Sequence, residues 1–305
     1  MIDRRASAVL TSFNKREDVR KNLRSLLAQV EPFLEIIVVD NASKDGTIEM
    51  VRSEFPSVRL IVMPDPSYGA CETFNIGFST AQAPFIAILD DDIVLPPDWL
   101  KRLFDRFEQE PETTGMISTK VVEPEMPQSY IDAPAVNEIR YMSTFRGCGT
   151  LAKTDVIRRA GWYDERFFIY GNERDLAARV LGLGFRILQF PEVVTQHGTP
   201  FGMKKGARSL YYHVRNFWLV MFKHAPLSQI LGFPFAFVWR RVRKRDDAED
   251  AADAVGGIGL ISNIRQTKRG WWIVIKATLA ALANVPYCWK RRKVCRAPDF
   301  EMPDV

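Results

Sequence analysis

Residues 85–92 read FIAILDDD, a run of five apolar residues that ends in three consecutive aspartates. An earlier stretch has the same form, since residues 35–40 read EIIVVD and end in Asp40. Short continuous apolar runs of this kind are typical of strands that are buried on both faces in a parallel sheet. We therefore predict two buried strands whose carboxyl ends carry acidic side chains.

The flanking sequence alternates strand patterns with helical patterns. Further strands are predicted over 6–13 and 58–63, and helices over 16–30, 47–55, 71–81 and 98–110. In the first helix, apolar residues recur every three or four positions, at Val19, Leu23, Leu26, Leu27 and Val30. This alternation predicts an α/β domain with a mostly parallel sheet and helices on both faces. Ligands bind such sheets at the carboxyl ends of the strands, where the aspartates lie.

The alternation loosens after residue 115. Strands are predicted over 116–122, 147–152 and 185–190, and helices over 155–162 and 172–183. Residues 123–145 are polar and predicted to be mostly loop, and His197 follows the last predicted strand. An aromatic-rich helix is predicted over 209–224.

Composition and charge narrow the class of protein. The chain has 305 residues, of which 47% are hydrophobic and 26% charged, which excludes a mainly disordered or collagen-like chain. Residues 1–199 carry 23 Lys and Arg against 29 Asp and Glu, a net charge of −6, whereas residues 200–305 carry 19 against 8, a net charge of +11. A basic C-terminal third on an acidic body suggests contact with phosphate, in nucleic acid or at a membrane surface.

The four cysteines have no metal-binding spacing, and the first residues lack the apolar run of a signal peptide, so we expect a reducing, cytoplasmic setting.

Two apolar segments, 225–239 and 271–289, are interrupted by prolines or by Lys276 and Asn284. We therefore predict that both are buried or interfacial rather than membrane-spanning. Basic residues at 240–245 and 290–293, with an acidic stretch at 246–253 between them, suggest peripheral attachment to an anionic membrane. No nucleic-acid-binding module is visible, so we expect no nucleic-acid partner.

The three adjacent aspartates indicate a cation site. Neighbouring carboxylates repel one another unless a cation or hydrogen-bond donors compensate their charge. Mg²⁺ is typically held by one or two carboxylates together with substrate phosphates. The alternative is a solvated loop whose acids favour the start of the following helix.

Four blocks in this order resemble the family-2 glycosyltransferases with the GT-A fold: SFNKREDVRKNLRSL, IIVVDNASKDGT, FIAILDDDIVLPPDWL and GTLAKTDVIRRAGWYDERFFIYGNERDLAARVLGLGFRI with the following PEVVTQH. The resemblance covers about Ser7 to His197, and its third block corresponds to the family's DxD motif. It implies an enzyme of polysaccharide biosynthesis that transfers a sugar, with inversion, from a nucleoside diphosphate sugar to a hydroxyl acceptor. The acceptor would be a cell-surface glycan or a lipid-linked saccharide.

The resemblance also implies roles for individual residues. It assigns Asp92 and His197 to an Mn²⁺ or Mg²⁺ ion against the diphosphate, and it assigns to the nucleotide Thr11, Arg16, Asp40, Asn75, Asp90 and Asp91. The segment GNERDL lies where the family has a Glu-Asp pair that supplies the catalytic base. Glu173 is the candidate base, with Asp175 as second choice, although Asn172 replaces the first acid of the pair.

We expect a GT-A-type domain over residues 1–205 and a basic helical region over 206–305 that associates with the inner face of a membrane. Two alternatives stay open. The same fold could bind a nucleotide sugar without transfer activity, which the Asn172 and Glu173 departures permit. A sugar nucleotidyltransferase is the other alternative, against which TSFNKRED lacks the glycines of that class's first loop.

Overall fold

A computed structural model describes residues 2–233 and 260–302. The strands of its single sheet are β1 (Ala6–Ser12), β2 (Glu35–Asp40), β3 (Arg59–Val62), β4 (Phe85–Leu89), β5 (Ile93–Val94), β6 (Thr114–Val122), β7 (Arg140–Tyr141), β8 (Thr150–Lys153) and β9 (Arg186–His197). The helices of the first two-thirds are α1 (Arg16–Leu27), α2 (Thr47–Glu54), α3 (Ala70–Thr80), α4 (Trp99–Gln109), α5 (Gln128–Ile131), α6 (Pro134–Asn137), α7 (Thr154–Ala160) and α8 (Asn172–Gly182). The C-terminal helices are α9 (Ala207–His224), α10 (Leu260–Gln266), α11 (Gly270–Ala283) and α12 (Val285–Lys290).

The sheet has the strand order β3-β2-β1-β4-β8-β6-β9-β5, and β7 adds to β9 at the side. Strands β3, β2, β1 and β4 are all parallel, as the alternation of strands and helices predicts. Strand β8 runs antiparallel to both β4 and β6, whereas β6 and β9 are parallel. The predicted α/β architecture is therefore confirmed, with a mostly parallel sheet in which β8 and the two-residue strands β5 and β7 run in the opposite direction.

Helices cover both faces of the sheet because its strands are apolar on both sides. Successive side chains of a strand point to opposite faces. Ala8 and Leu10 of β1 accordingly join a buried cluster with α1, α2 and α4, while Val9 joins a second cluster with α3, α7, α8 and α9. These two layers fix the carboxyl ends of the central strands along one edge.

The last strand is longer than the sequence indicates. The predicted strand over 185–190 and the following segment to His197 form one strand, β9, despite Pro191. Proline lacks the amide that a regular ladder needs, and bulges accommodate it. The pairing shifts accordingly, from Thr119 opposite Phe190 to Lys120 opposite Val194. Beyond this bulge β9 pairs with the two-residue strand β5, next to the aspartates.

The region of residues 123–145 is more ordered than predicted. It contains two single-turn helices, α5 and α6, and the short strand β7. Lys120 supports this segment, since its Nζ donates to the carbonyl of Ile131 and to Asn137 Oδ1. The polar composition of the stretch concealed these short elements because single turns lack a measurable apolar period.

The C-terminal helices pack on the same core. The predicted helix over 209–224 is observed as α9, whose Leu219 and Phe222 share the second cluster with Ala281 of α11 and Cys288 of α12. Within residues 2–233 and 260–302, no helix has the length and apolarity required to cross a bilayer. The basic block 240–245, the acidic stretch 246–253 and the end of the apolar segment 225–239 lie outside the described residues.

Candidate active site

The three aspartates follow β4 at the carboxyl edge of the sheet, as predicted. Asp92 leads directly into β5, whose antiparallel pairing sets Ile93 opposite His197. The backbone reinforces this register, because Gly198 N donates to the carbonyl of Asp92 at 2.7 Å. Two residues 105 positions apart in sequence, Asp92 and His197, are thereby brought side by side.

His197 is held between carboxylates on both of its ring nitrogens. Its Nε2 lies 3.0 Å from Asp92 Oδ1 and 3.5 Å from Asp90 Oδ2, while Nδ1 lies 2.8 Å from Glu123 Oε1. A carboxylate on Nδ1 fixes that nitrogen as the proton donor and directs Nε2 towards a ligand. Glu123 is thus the outer partner of a carboxylate–histidine pair that points at Asp92.

The donor atoms of this pair fit a divalent cation. In an octahedral site with bonds of about 2.1 Å, neighbouring ligand atoms lie roughly 3 Å apart, as Asp92 Oδ1 and His197 Nε2 do here. Ligand atoms of Asp90, His197 and Cys148 also lie within 4.8 Å of one another. Burial raises the pKa of the Cys148 thiol, which keeps it protonated and a poor ligand. Carboxylate oxygens with one imidazole suit Mn²⁺ better than a thiolate-seeking metal.

We call Asp90, Asp91, Asp92, Glu123, His197 and Lys15 the carboxylate cluster. Burial disfavours charge on His197, but hydrogen bonds to Asp92 and Glu123 outweigh it and raise the pKa of the imidazole to about 10. Burial and repulsion from Asp92 and Asp90 raise the pKa of Asp91 to about 8. Although burial opposes it, the bond to His197 holds the pKa of Asp92 well below its usual range.

Two further side chains complete the surroundings of Asp92. Its Oδ2 accepts from Thr199 Oγ1 at 2.7 Å and lies 3.4 Å from Lys15 Nζ. With Lys15 and His197 charged, and with Asp91 protonated at neutral pH because its pKa is raised to about 8, three carboxylates (Asp90, Asp92 and Glu123) still face only two positive charges within the cluster. The cluster is therefore short of positive charge, which a bound cation would supply.

Glu173 lies in the first turn of α8, half-buried, with Oε1 accepting from Asn172 Nδ2 at 3.0 Å. Burial, with a smaller contribution from Asp90, raises the pKa of Glu173 to about 7. Gly147 lies against this carboxylate, since a Cβ at position 147 would stand 2.7 Å from Glu173 Oε1. A carboxylate with a pKa near neutrality is suited to take up a proton at physiological pH.

Asp175 lies two residues after Glu173, in the same first turn of α8, and has a different environment. It is fully buried, with Oδ1 close to Lys223 Nζ (2.5 Å) and His224 Nε2 (2.8 Å), and Oδ2 accepting from Arg179 Nη2 (2.7 Å). Although burial opposes ionisation, the Arg179, His224 and Lys223 contacts hold the pKa of Asp175 far below its usual range. Both oxygens are occupied by these partners, so Glu173 fits the role of a base better than Asp175.

We call Asp164, Asp175, Arg179, Lys223 and His224 the anchor cluster, because it joins α8 to α9. Lys223 Nζ contacts Asp164 Oδ2 at 2.7 Å as well as Asp175. The carboxylates of Asp164 and Asp175 are balanced by the positive charges of Arg179 and Lys223, so the anchor cluster carries no excess charge.

Two of the residues predicted to bind the nucleotide, Asp40 and Thr11, lie near the carboxyl ends of the adjacent strands β2 and β1. Asp40 is fully buried and accepts from Ser43 N and Ser43 Oγ, so it also caps the turn that follows β2. Burial raises its pKa. The side chain of Arg16, 47% exposed at the start of α1, lies beside Glu17.

Asn75, also predicted to bind the nucleotide, lies on α3, where its amide forms hydrogen bonds within the chain. Its side chain bonds the backbone of Tyr163 in both directions, donating to the carbonyl and accepting from the amide. It also donates to Glu165 Oε1 at 3.0 Å. These contacts make Asn75 a clamp between α3 and the 163–165 loop.

Sequence reasoning missed several of these residues. Glu123 directly follows β6, and the rule that led to Asp40 and the aspartates could have found it. Lys15 and Thr199 carry the weaker signal of polar residues close to strand ends. Nothing in the sequence marks Lys223 and His224, because basic residues at the end of a helix are ordinarily exposed.

Comparison with known proteins identifies the family. The sequence profile described as "Glycosyl transferase family 2" matches residues 7–166, just over half of the chain. The succinoglycan biosynthesis protein ExoO of Rhizobium meliloti is 34% identical over 99 residues, 32% of this chain and 28% of that protein. An undecaprenyl-phosphate 4-deoxy-4-formamido-L-arabinose transferase of Edwardsiella ictaluri is 26% identical over 117 residues, 36% of each chain. The match spans about a third of the length of these curated relatives.

A solved structure supports the fold over a greater length. The mannosyltransferase PcManGT from Pyrobaculum calidifontis, in complex with GDP-Man and Mn²⁺, superposes with a TM-score of 0.57. The superposition covers 93% of this chain and 87% of that one at 19% sequence identity, which confirms the predicted GT-A-type fold. The profile match, the order of the four sequence blocks and the architecture agree: this chain belongs to glycosyl transferase family 2.

Proposed function

We propose that the protein is an inverting, metal-assisted glycosyltransferase that transfers a sugar from a nucleoside diphosphate sugar to a hydroxyl acceptor. One observation carries the proposal. Gly147 lies close enough to Glu173 that a Cβ at position 147 would stand 2.7 Å from Oε1, and the neighbouring Cys148 has its sulfur within 4.8 Å of ligand atoms of Asp90 and His197. The candidate base Glu173 and the candidate metal ligand His197 therefore both lie next to the two-residue segment 147–148.

The residues fit the steps of such a reaction. Asp92 and His197 would hold Mn²⁺ or Mg²⁺, with Glu123 fixing the imidazole so that Nε2 faces the ion. A bound metal would neutralise charge on the departing nucleoside diphosphate. Glu173 would accept the proton of the acceptor hydroxyl as that oxygen attacks the sugar carbon, a single displacement that inverts the configuration. Its pKa near 7 allows both the uptake and the later release of that proton.

The nucleotide would lie along the carboxyl ends of β1, β2 and β4, with Thr11, Asp40, Asp90 and Asp91 nearest to it. Arg16, at the rim, and Asn75, on α3, remain proposed contacts of the nucleotide. A related structure contains GDP-Man with Mn²⁺, which supports a nucleotide sugar as the donor class. UDP, GDP and dTDP sugars all stay open.

The first experiment is calorimetric binding of UDP, GDP and dTDP, each with Mn²⁺ and with EDTA. We expect one nucleotide to bind the wild type only with Mn²⁺ and to lose that binding in Asp92→Ala. The matched control, Asp98→Ala, changes an acid at the start of α4 and should bind as the wild type does. If no nucleotide binds the wild type, the transferase proposal is withdrawn.

A second candidate keeps the nucleotide site without transfer. The observation in its favour is that Asn172 and Glu173 stand where the family pattern has Glu and Asp. Turnover of the bound donor in the presence of saccharide acceptors separates the two candidates. Metal-dependent binding with no turnover of any donor would favour the binding protein.

We also propose that the helical region from about residue 206 holds the enzyme at an anionic membrane surface, where a lipid-linked acceptor would be found. Helix α11 buries its small residues, Ala277 and Ala281, and leaves five apolar side chains at least 48% exposed: Trp271, Trp272, Ile275, Leu279 and Leu282. Residues 260–293 contain eight Lys and Arg and no Asp or Glu. An apolar face with tryptophans and flanking cations suits the interface of a bilayer with anionic headgroups.

Vesicle flotation tests this attachment. We expect the protein to bind vesicles containing phosphatidylglycerol, and Trp271→Ala/Trp272→Ala to weaken binding by roughly tenfold or more. Leu27→Ala/Leu34→Ala, which removes exposed apolar side chains at the end of α1 and before β2, should bind as the wild type does. Equal binding by all three proteins would contradict the proposed attachment.

A further inference from the structure

A cavity opens beside the C-terminal helices, away from the carboxylate cluster. Its volume is about 1090 Å³, and it lies between the 159–166 segment, the end of α8, the end of α9 and residues 287–295. None of the residues of the carboxylate cluster, nor Glu173, lines it. Any ligand bound here would therefore leave the proposed donor site free.

The lining of this cavity is strongly basic. Seven lysines and arginines face two acids, Asp164 and Glu165. Arg179 and Lys223 are engaged by the anchor cluster, and Lys223 takes up the charge of Asp164. Of the five other cations, Arg159 pairs with Asp155. In the described part of the chain, no ion pair involves the remaining four, which are Arg166, Lys290, Arg291 and Lys293.

Two of these guanidinium groups are placed on one aromatic ring. The Arg291 Cζ lies 4.1 Å and the Arg166 Cζ 4.7 Å from the ring centroid of Tyr287. Tyr287 is itself fixed, because its hydroxyl donates to Asp164 Oδ1 at 2.8 Å. The ring therefore holds two like charges together at the cavity wall, one from the main domain and one from the C-terminal segment.

We propose that this cavity is a second binding site, which takes a phosphate or diphosphate group. Arginine forks bind the oxygens of a phosphate in pairs, and stacking on an aromatic ring limits the freedom that binding would otherwise cost. Lys290 and Lys293 add two ammonium groups on the same side. The phosphate belongs either to an anionic lipid headgroup, since α12 follows the exposed face of α11, or to a soluble phosphorylated molecule.

The test uses the full chain and inorganic pyrophosphate as the probe, in EDTA so that a metal-dependent donor site is silent. We expect pyrophosphate to bind the wild type and Asp92→Ala equally. Arg166→Gln/Arg291→Gln should weaken binding by roughly tenfold or more, because two charge-assisted contacts are lost. The control, Arg24→Gln/Arg52→Gln, removes two exposed arginines of α1 and α2 and should leave affinity unchanged.

A second variant, Lys290→Gln/Lys293→Gln, changes two exposed side chains and is therefore expected to fold as the wild type does. Weakened pyrophosphate binding in this variant cannot be attributed to misfolding. Unchanged affinity in both cavity variants, or no pyrophosphate binding by the wild type, overturns the proposal.

Vesicles with and without phosphatidylglycerol then distinguish the source of the phosphate. Loss of vesicle binding in the arginine variant assigns the site to lipid headgroups, and retained vesicle binding with lost pyrophosphate binding assigns it to a soluble phosphate. Because Asp92→Ala keeps this site, failure here differs from failure of the transferase proposal.

Discussion

The carboxylate cluster and the anchor cluster each centre on a buried aspartate paired with a histidine, yet they differ in charge balance. Asp175 of the anchor cluster is enclosed by Arg179, Lys223 and His224, and its carboxylate is completely buried. Asp92 of the carboxylate cluster shares its histidine with Glu123 and stands beside two further aspartates. The chain neutralises the anchor cluster and leaves the carboxylate cluster with excess negative charge.

This difference separates a structural site from a binding site. A buried charge that is fully paired within the chain requires no ligand, and removing one partner leaves the other buried without a counter-charge. A group of carboxylates without enough cations is costly unless a ligand completes it. The excess of carboxylates around Asp92 is therefore the feature that identifies the proposed metal site.

The largest expected effect is on chemistry at Glu173. Glu173→Gln removes the proposed base while keeping the size of the side chain and the hydrogen bond from Asn172. We expect turnover to fall by about 10²- to 10⁴-fold with nucleotide affinity unchanged. Glu49→Gln, at an exposed position of α2, is the control in the same donor-turnover assay. Full turnover by Glu173→Gln would remove Glu173 from the mechanism.

Asp175→Ala should reduce stability rather than metal binding. It leaves His224 buried without its carboxylate, removes the partner of Arg179 and leaves Lys223 with Asp164 alone, so we expect a loss of about 3–5 kcal/mol in the free energy of unfolding. Urea denaturation measures the change. Asp155→Ala removes an exposed ion pair with Arg158 and should cost less than about 1 kcal/mol. Equal losses for the two variants would break the distinction between the clusters.

Gly147→Ala tests the position of the Glu173 carboxylate. The new Cβ would meet the end of a flexible side chain, so the carboxylate must shift while the backbone can stay. We expect turnover to fall by roughly 10- to 100-fold, since small misplacements of a reacting group are costly. At Gly182 a Cβ meets no atom within 4 Å, and Gly182→Ala should keep full activity. Wild-type turnover in Gly147→Ala would show that this contact has no catalytic importance.

Glu123→Gln tests the outer partner of His197. Loss of this carboxylate weakens the hold on the Nδ1 proton, and we expect the affinity for Mn²⁺ to fall by about 10- to 100-fold. Glu125→Gln, two residues further along and exposed, is the matched control. Unchanged Mn²⁺ affinity in Glu123→Gln would contradict the assignment of Glu123 as the carboxylate that orients His197 for the metal.

The smallest expected effect is the pH dependence that Glu173 imposes. Because it acts unprotonated and its pKa is raised to about 7, turnover should rise with pH through 7 and level off above 8. The sign for stability is opposite. A raised pKa stabilises the folded protein below the ordinary value near 4.5, and this contribution is lost as pH rises to about 7. In Glu173→Gln the free energy of unfolding should therefore fall less steeply between about pH 4.5 and 7 than in the wild type. An unaltered slope would contradict the raised pKa of Glu173.

The sequence predicts the first half of the fold because its signals are local. Continuous apolar runs that end in aspartate specify buried strands, and the residues that follow them reach one edge of the sheet. Asp40 and the three aspartates are found in this way without any knowledge of tertiary contacts. Glu123 follows a strand in the same manner and was within reach of the same rule.

The remainder depends on contacts between distant parts of the chain. The antiparallel pairing of β5 with β9 places His197 on Asp92, and a two-residue strand after an aspartate leaves no pattern to read. The burial of Asp175 follows from Lys223 and His224 of α9, about 50 residues away. The hydrogen bonds of Asn75 to Tyr163 and Glu165 likewise join residues about 90 positions apart, which no local pattern predicts.

The most direct test of the central claim is an electron paramagnetic resonance titration of Mn²⁺ with the wild type, Asp92→Asn and the exposed control Asp155→Asn. The imbalance of charge at the carboxylate cluster predicts a bound Mn²⁺ in the wild type and in Asp155→Asn, and a loss of at least roughly 100-fold in affinity in Asp92→Asn. Equal Mn²⁺ binding by all three proteins, or none by the wild type, would contradict the assignment of this cluster as the metal site.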